Sequence, residues 1–214
     1  MACLAPPASF APFCRGPFAS PANLYRPPAS IASLSPSSPP FYPSRVMVRW
    51  EAPPAGWLKL NFDGSVYNDG SGRASIGGAI RDCNGRVLVA FAEPTEHSTV
   101  GIVEARALIR GLRPALSRFR GRLVAEGDDL MLVELLTGEE TQTRVPQAMQ
   151  DEILMLLGCF AAYKVQHIFR EGNQVAHVLC KEAYQRPGVW AGGIPSFFLQ
   201  ALVVQDIYRQ NPLQ

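Results

Sequence analysis

Residues 57–65 read Trp-Leu-Lys-Leu-Asn-Phe-Asp-Gly-Ser, and this run constrains the fold more than any other. Leu58, Leu60 and Phe62 alternate with Lys59, Asn61 and Asp63. The period of two predicts a half-buried β-strand with one apolar and one polar face. The strand ends on the carboxylate of Asp63, followed by a turn. An acid at the end of a sheet strand is costly to desolvate unless something positive neutralises it. Two further carboxylates, Glu104 and Asp128, recur at comparable end positions, and a divalent metal is the natural shared partner.

The segments between these acids set the fold class. Asn68-Asp69-Gly70-Ser71-Gly72 is a turn cluster. Residues 74–81 then read as a second strand, in which Gly77-Gly78 permits close backbone approach. Asp82-Cys83-Asn84-Gly85 is a hairpin signal, and residues 86–92 form a third strand. Residues 99–118 predict a helix capped by Ser98 or Thr99, with Ala105, Leu108, Leu112 and Ala115 on one apolar face. Pro114 is expected to kink or end its last turn. Residues 122–125 predict a fourth strand, 130–136 a short helix, 145–162 a longer one, 164–169 a fifth strand and 171–184 a last helix. This is a mixed α/β order, opening with three antiparallel strands and built on five strands in all. Residues 185–214 form a C-terminal extension in which Phe197, Phe198, Leu199 and Val203 are expected to pack back as a partial helix.

Composition divides the chain. Residues 1–50 hold Arg15, Arg26, Arg45 and Arg49 and no acid, so of the net charge of +2 the front carries +4 and the rest −2. The main domain, 57–184, therefore has no large positive field, and any nucleic acid must be held by local patches or metal ions. Residues 1–56 are rich in Pro, Ser and Ala without a sustained period. Two readings fit: a disordered tail, or an organelle transit peptide. The second would direct the protein to chloroplast or mitochondrion, the first to nucleus or cytosol. The five scattered cysteines contain no C-x-x-C pair, which argues against a disulfide framework or zinc site. No apolar run approaches the roughly 20 residues of a membrane span, and a monomer is expected.

Asp63, Glu104 and Asp128 can together offer oxygen ligands to Mg²⁺ or Mn²⁺. Each acid also has a plainer reading. Asp63 can cap a turn, Glu104 can favour the positive end of its helix, and Asp128 can serve as an N-cap. Spacing alone leaves these alternatives open.

The words around the acids resemble those of the type 1 ribonuclease H family, in its plant reverse-transcriptase-like, retroelement-derived branch. The matching stretches are Leu60-Asn61-Phe62-Asp63-Gly64-Ser65, Gly77-Gly78-Ala79-Ile80-Arg81-Asp82 with Gly85, Glu104-Ala105-Arg106-Ala107-Leu108, Glu126-Gly127-Asp128, and Arg170-Glu171-Gly172-Asn173-Gln174-Val175-Ala176-His177. They occur in family order over residues 57–184. The resemblance implies a ribonuclease H-like fold, a five-stranded mixed sheet with helices packed on it. It also implies hydrolysis of the RNA strand of an RNA–DNA hybrid, with two metal ions. Asp63, Glu104 and Asp128 would be the metal-binding carboxylates, and Gly64, Ser65 and Asn173 would lie near the substrate.

The fourth catalytic position departs from the pattern: His177 stands where the family usually has Asp. A neutral imidazole suits Mg²⁺ less well than a carboxylate does. His177 as a catalytic group and His177 as a passive helix residue both remain open, whereas His167, within the fifth strand, reads as structural. Arg106, Arg110 and Arg113 fall on one helical stripe, either a phosphate-binding face or a solvated charged one. Two functions follow, an endonuclease and a catalytically weak or inactive nucleic-acid-binding module. A 3′–5′ exonuclease is disfavoured, because Ser65 occupies the place where its second acid would stand.

Overall fold

The computed structural model describes residues 49–139, 143–194 and 196–210. Most of the Pro- and Ser-rich front lies outside the described residues. In chain order the elements are β1 (Trp57–Val66), β2 (Ala74–Arg81), β3 (Val87–Thr95), α1 (Val100–Arg118), β4 (Arg122–Gly127), α2 (Leu130–Thr137), α3 (Gln147–Gly158), β5 (Ala162–His167), α4 (Gln174–Glu182), β6 (Gly188–Ala191) and α5 (Phe197–Gln210). The sheet order is β5-β4-β1-β2-β3-β6. β1, β2 and β3 form an antiparallel meander, while β4 runs parallel to β1 and β5 parallel to β4.

The sheet has six strands, where the sequence predicts five. β6 lies antiparallel to β3, pairing Phe91 with Val189. It escapes sequence reading because four residues, one of them Gly188, carry no measurable period. α5 follows it and packs on α4, burying Leu199 and Val203. At the other end, Trp50 lies within the segment expected as tail but is buried.

The half-buried character predicted for β1 is corrected. Leu58, Leu60 and Phe62 join the main core beneath α1, as their period requires. The opposite face, Lys59, Asn61 and Asp63, is buried as well. β1 is the third strand of six, and α4 lies against it and β2 on that side. Alternation separates the two faces of a strand but does not say that the polar one meets water.

Small residues let α4 press onto the sheet. Ala79, Ala90 and Ala92 form a second core with Val175 and Leu179 of the helix and Ala183 at its C-cap. A Cβ at Gly77 would collide with the backbone nitrogen of Cys180. The close approach predicted at Gly77-Gly78 is thus a helix-to-strand contact at Gly77, while at Gly78 a Cβ would meet the Phe91 ring and the Asn61 carbonyl of the sheet. α1 has Thr99 at its N-cap, but without a side-chain capping bond, and it continues past Pro114 to Arg118. The described residues contain no helix long and apolar enough to cross a membrane.

Candidate active site and metal centre

The parallel pairing of β1 with β4 sets the first two acids side by side. Asn61 faces Glu126 across the ladder. Asp63 and Asp128 each lie two residues beyond that last β1–β4 pair, Asp128 just past the end of β4 and Asp63 still within β1. The expectation that the first strand ends on Asp63 is corrected: β1 continues to Val66, because Gly64, Ser65 and Val66 keep pairing with β2. Asp128 is not an N-cap: the neighbouring Asp129 caps α2, accepting a hydrogen bond from the Leu132 amide at 3.1 Å. That division of labour leaves Asp128 free to face the site.

Glu104 arrives from the second turn of α1. β1 and α1 meet closely at Gly64, where a Cβ would stand 2.6 Å from the Glu104 nitrogen. The three side chains each offer one oxygen to a cluster whose members lie within 4.8 Å of one another.

The electrostatics of this cluster are unfavourable without a cation. Glu104 is 3% exposed. Burial, and then the charges of Asp63 and Asp128, hold its carboxyl well above the usual range. Asp128 is also pushed up, by burial and by Asp63, against the opposing pull of Arg170. Glu104 Oε2 and Asp128 Oδ1 are buried and have no hydrogen-bond partner. Buried polar atoms are normally satisfied, so orphan oxygens on two members of the cluster indicate an absent positive partner. Three hard oxygen donors with surplus negative charge fit Mg²⁺ or Mn²⁺.

His177, in the first turn of α4, stands with Nδ1 3.1 Å from Asp63 Oδ2. Asn173 lies just before α4 and donates from Nδ2 to the Phe62 carbonyl at 2.8 Å, tying the helix start to β1. Ser65 is half-buried near the Cys180 thiol, which burial and the Asp63 charge push up to about 12. Cys83, Cys159 and Cys180 are all free.

Two features carried little sequence signal. Arg170 belongs to the matched motif, but its role appears only in three dimensions: its Nε donates to Asp128 Oδ2 at 2.9 Å. Behind the site, a buried polar network joins five segments. Glu126 accepts from Lys59, Asn61 and Gln166, while Asn61 accepts from Trp50 and Arg81. The Arg81 guanidinium stacks 3.6 Å over the Trp50 ring and pairs with Asp206 of α5. The only hint in the sequence is the polar half of β1.

The arginine stripe on α1 is engaged within the chain. Arg106 pairs with Glu96, Arg110 with Glu93 through two hydrogen bonds, and Arg113 with Glu152. His167 packs edge-on against Phe169, consistent with a structural place.

Sheet order, helix placement and the carboxylate edge together define a ribonuclease H-like fold. Ribonuclease H1 from the halophilic archaeon Halobacterium salinarum superposes with a TM-score of 0.56 at 24% identity, over 61% of this chain and 98% of its own. A compost-derived ribonuclease H1 solved in complex with an RNA/DNA hybrid gives a TM-score of 0.52 at 20% identity, over 60% of this chain and 96% of its own. The chain belongs to the Reverse transcriptase-like family, whose model matches residues 61–183. A presumptive ribonuclease H protein of Arabidopsis thaliana is 26% identical over 173 residues, 78% of this chain. The chain spans 26% of that relative's length.

Proposed function

We propose that this protein is a divalent-metal-dependent endonuclease that hydrolyses the RNA strand of RNA–DNA hybrids. The observation that carries the proposal is the convergence of Asp63, Glu104 and Asp128 within 4.8 Å, with unpartnered buried oxygens on two of them. These three residues would hold the cation. When bound there, a divalent ion supplies an activated water and charge for the leaving oxygen of a phosphodiester.

The chain's own groups do the rest. Gly64 fixes the distance between Asp63 and Glu104. His177 orients Asp63, and Asn173 holds α4 in place. The exposed guanidinium of Arg170 lies where a substrate phosphate would approach Asp128. The Gly64 backbone and the Ser65 hydroxyl are candidates for contact with a ribose 2′-OH, the group that distinguishes RNA from DNA. The compost-derived relative with a bound hybrid supports this substrate class. Residues 57–184 would carry the chemistry, with 1–56 as tail or transit peptide and 185–214 as a supporting extension. In the first case the location is nucleus or cytosol, in the second chloroplast or mitochondrion.

The second reading, a weak or inactive nucleic-acid-binding module, is favoured by one observation: His177 in place of a fourth carboxylate. One assay separates the two. The full chain is incubated with labelled RNA–DNA hybrid and Mg²⁺ or Mn²⁺, with single-stranded RNA and double-stranded DNA as controls. Cleavage of the hybrid alone, lost in Asp63→Asn, is expected. Binding without cleavage supports the module, and undiminished cleavage by Asp63→Asn refutes the site.

A further inference from the structure

We infer that this site takes one divalent cation and that His177 fills the place of a second. The inference rests on the metal-dependent reading above and departs from the two ions that the family resemblance implies. Two of the three carboxylates commit an oxygen to the protein. Asp63 Oδ2 lies 3.1 Å from His177 Nδ1, and Asp128 Oδ2 accepts from Arg170 Nε at 2.9 Å. Among the described residues, Glu104 Oε2 and Asp128 Oδ1 remain buried and unpartnered. Asp63, Glu104 and Asp128 form a single cluster, each offering one oxygen within 4.8 Å of the others.

A second ion needs a further set of negative oxygens. On the α4 side of Asp63 stands the His177 imidazole, which brings no negative oxygen and suits Mg²⁺ less well than a carboxylate does. On the outer side of Asp128 stands the Arg170 guanidinium, which repels a cation. Asp129 also acts on Glu104 through its charge, and its Oδ1 is committed to the cap of α2. No other group of three potential ligands meets the same spacing among the described residues. His177 thus supplies a hydrogen bond to Asp63 where a carboxylate would supply a second metal ligand.

The test counts ions. Mn²⁺ is titrated into the full chain and followed by calorimetry and by loss of the free-ion electron paramagnetic resonance signal. The titration is repeated with a 2′-O-methyl RNA–DNA hybrid, after subtraction of the duplex's own uptake. One Mn²⁺ per chain is expected under both conditions. His177→Asp is expected to bind two, and His177→Asn one. Two ions in the wild type would overturn the single-ion inference while leaving the nuclease reading intact. A folded His177→Asp that still binds one would overturn it too, and His177→Glu serves if the Asp variant does not fold. No Mn²⁺ uptake by the wild type would sink the metal-dependent reading itself.

Discussion

Gly64 and Glu104 touch backbone to backbone: a methyl group on Gly64 would lie 2.6 Å from the Glu104 nitrogen and 2.7 Å from the Val103 carbonyl carbon. The neighbour is helix backbone, which cannot swing aside as a side chain can. Gly64→Ala therefore has to push α1 away from β1. Overpacking of this kind costs about 1–3 kcal/mol. Because the two elements carry Glu104 and Asp63, the larger expected effect is on chemistry, about 10²-fold in hybrid cleavage for a displacement near 1 Å. Gly158→Ala, where an added Cβ meets nothing, is the control and should leave cleavage unchanged.

Glu104 gives a pH prediction of definite sign. Its folded carboxyl binds a proton more tightly than the unfolded one, through burial and then the charges of Asp63 and Asp128. The resulting stabilisation is present below the unfolded Glu value of about 4.3 and is lost as pH rises through the raised folded value. Asp128 acts in the same direction. In metal-free buffer, Glu104→Gln should therefore melt higher than wild type at pH 8, with the difference vanishing near pH 4. Added Mg²⁺ should raise the wild-type melting temperature and not that of the variant. Equal melting curves at pH 8 would contradict the charge crowding described for the site.

Lys59 and Glu126 form a buried ion pair, with side chains 5% and 3% exposed. Glu126→Gln leaves the ammonium without its counter-charge and should cost about 3–5 kcal/mol in denaturant unfolding. The double variant Lys59→Met/Glu126→Gln should be more stable than Glu126→Gln alone, because the stranded charge is gone. A strictly additive cycle would show that the two groups do not compensate each other.

The α1 arginines should matter little to substrate. Arg110 is bound by both oxygens of Glu93, each at 2.7 Å, and both side chains are about 30% exposed. Arg110→Met is expected to cost about 1 kcal/mol or less, as partly exposed pairs do. Its affinity for an RNA–DNA hybrid, measured by fluorescence anisotropy at fixed salt, should stay within about twofold of wild type. A larger loss would assign this stripe to phosphate binding.

Much of the site was legible in the chain because its parts are local words. Asp63 lies in a strand of clear period, Glu104 lies beside the apolar stripe of a helix, and Asp128 follows a short strand. The order of those words was enough to suggest the family. Arg170 was present in the motif, but its bond to Asp128 spans 42 positions and has no periodic signature. The α1 stripe illustrates the converse. Its spacing was correct, yet spacing could not show that Glu93, Glu96 and Glu152 already neutralise it.

The sequence by itself determined the alternation of β1, the helical face of α1 and the order of the three acids along the chain, since each depends on neighbours a few residues apart. Only the tertiary structure decided that the polar face of β1 is covered, that Gly188–Ala191 adds a sixth strand, and that His177 bonds to Asp63. Those outcomes depend on which distant segment packs against which. Local periodicity reports the direction a side chain points but carries no record of what it meets there.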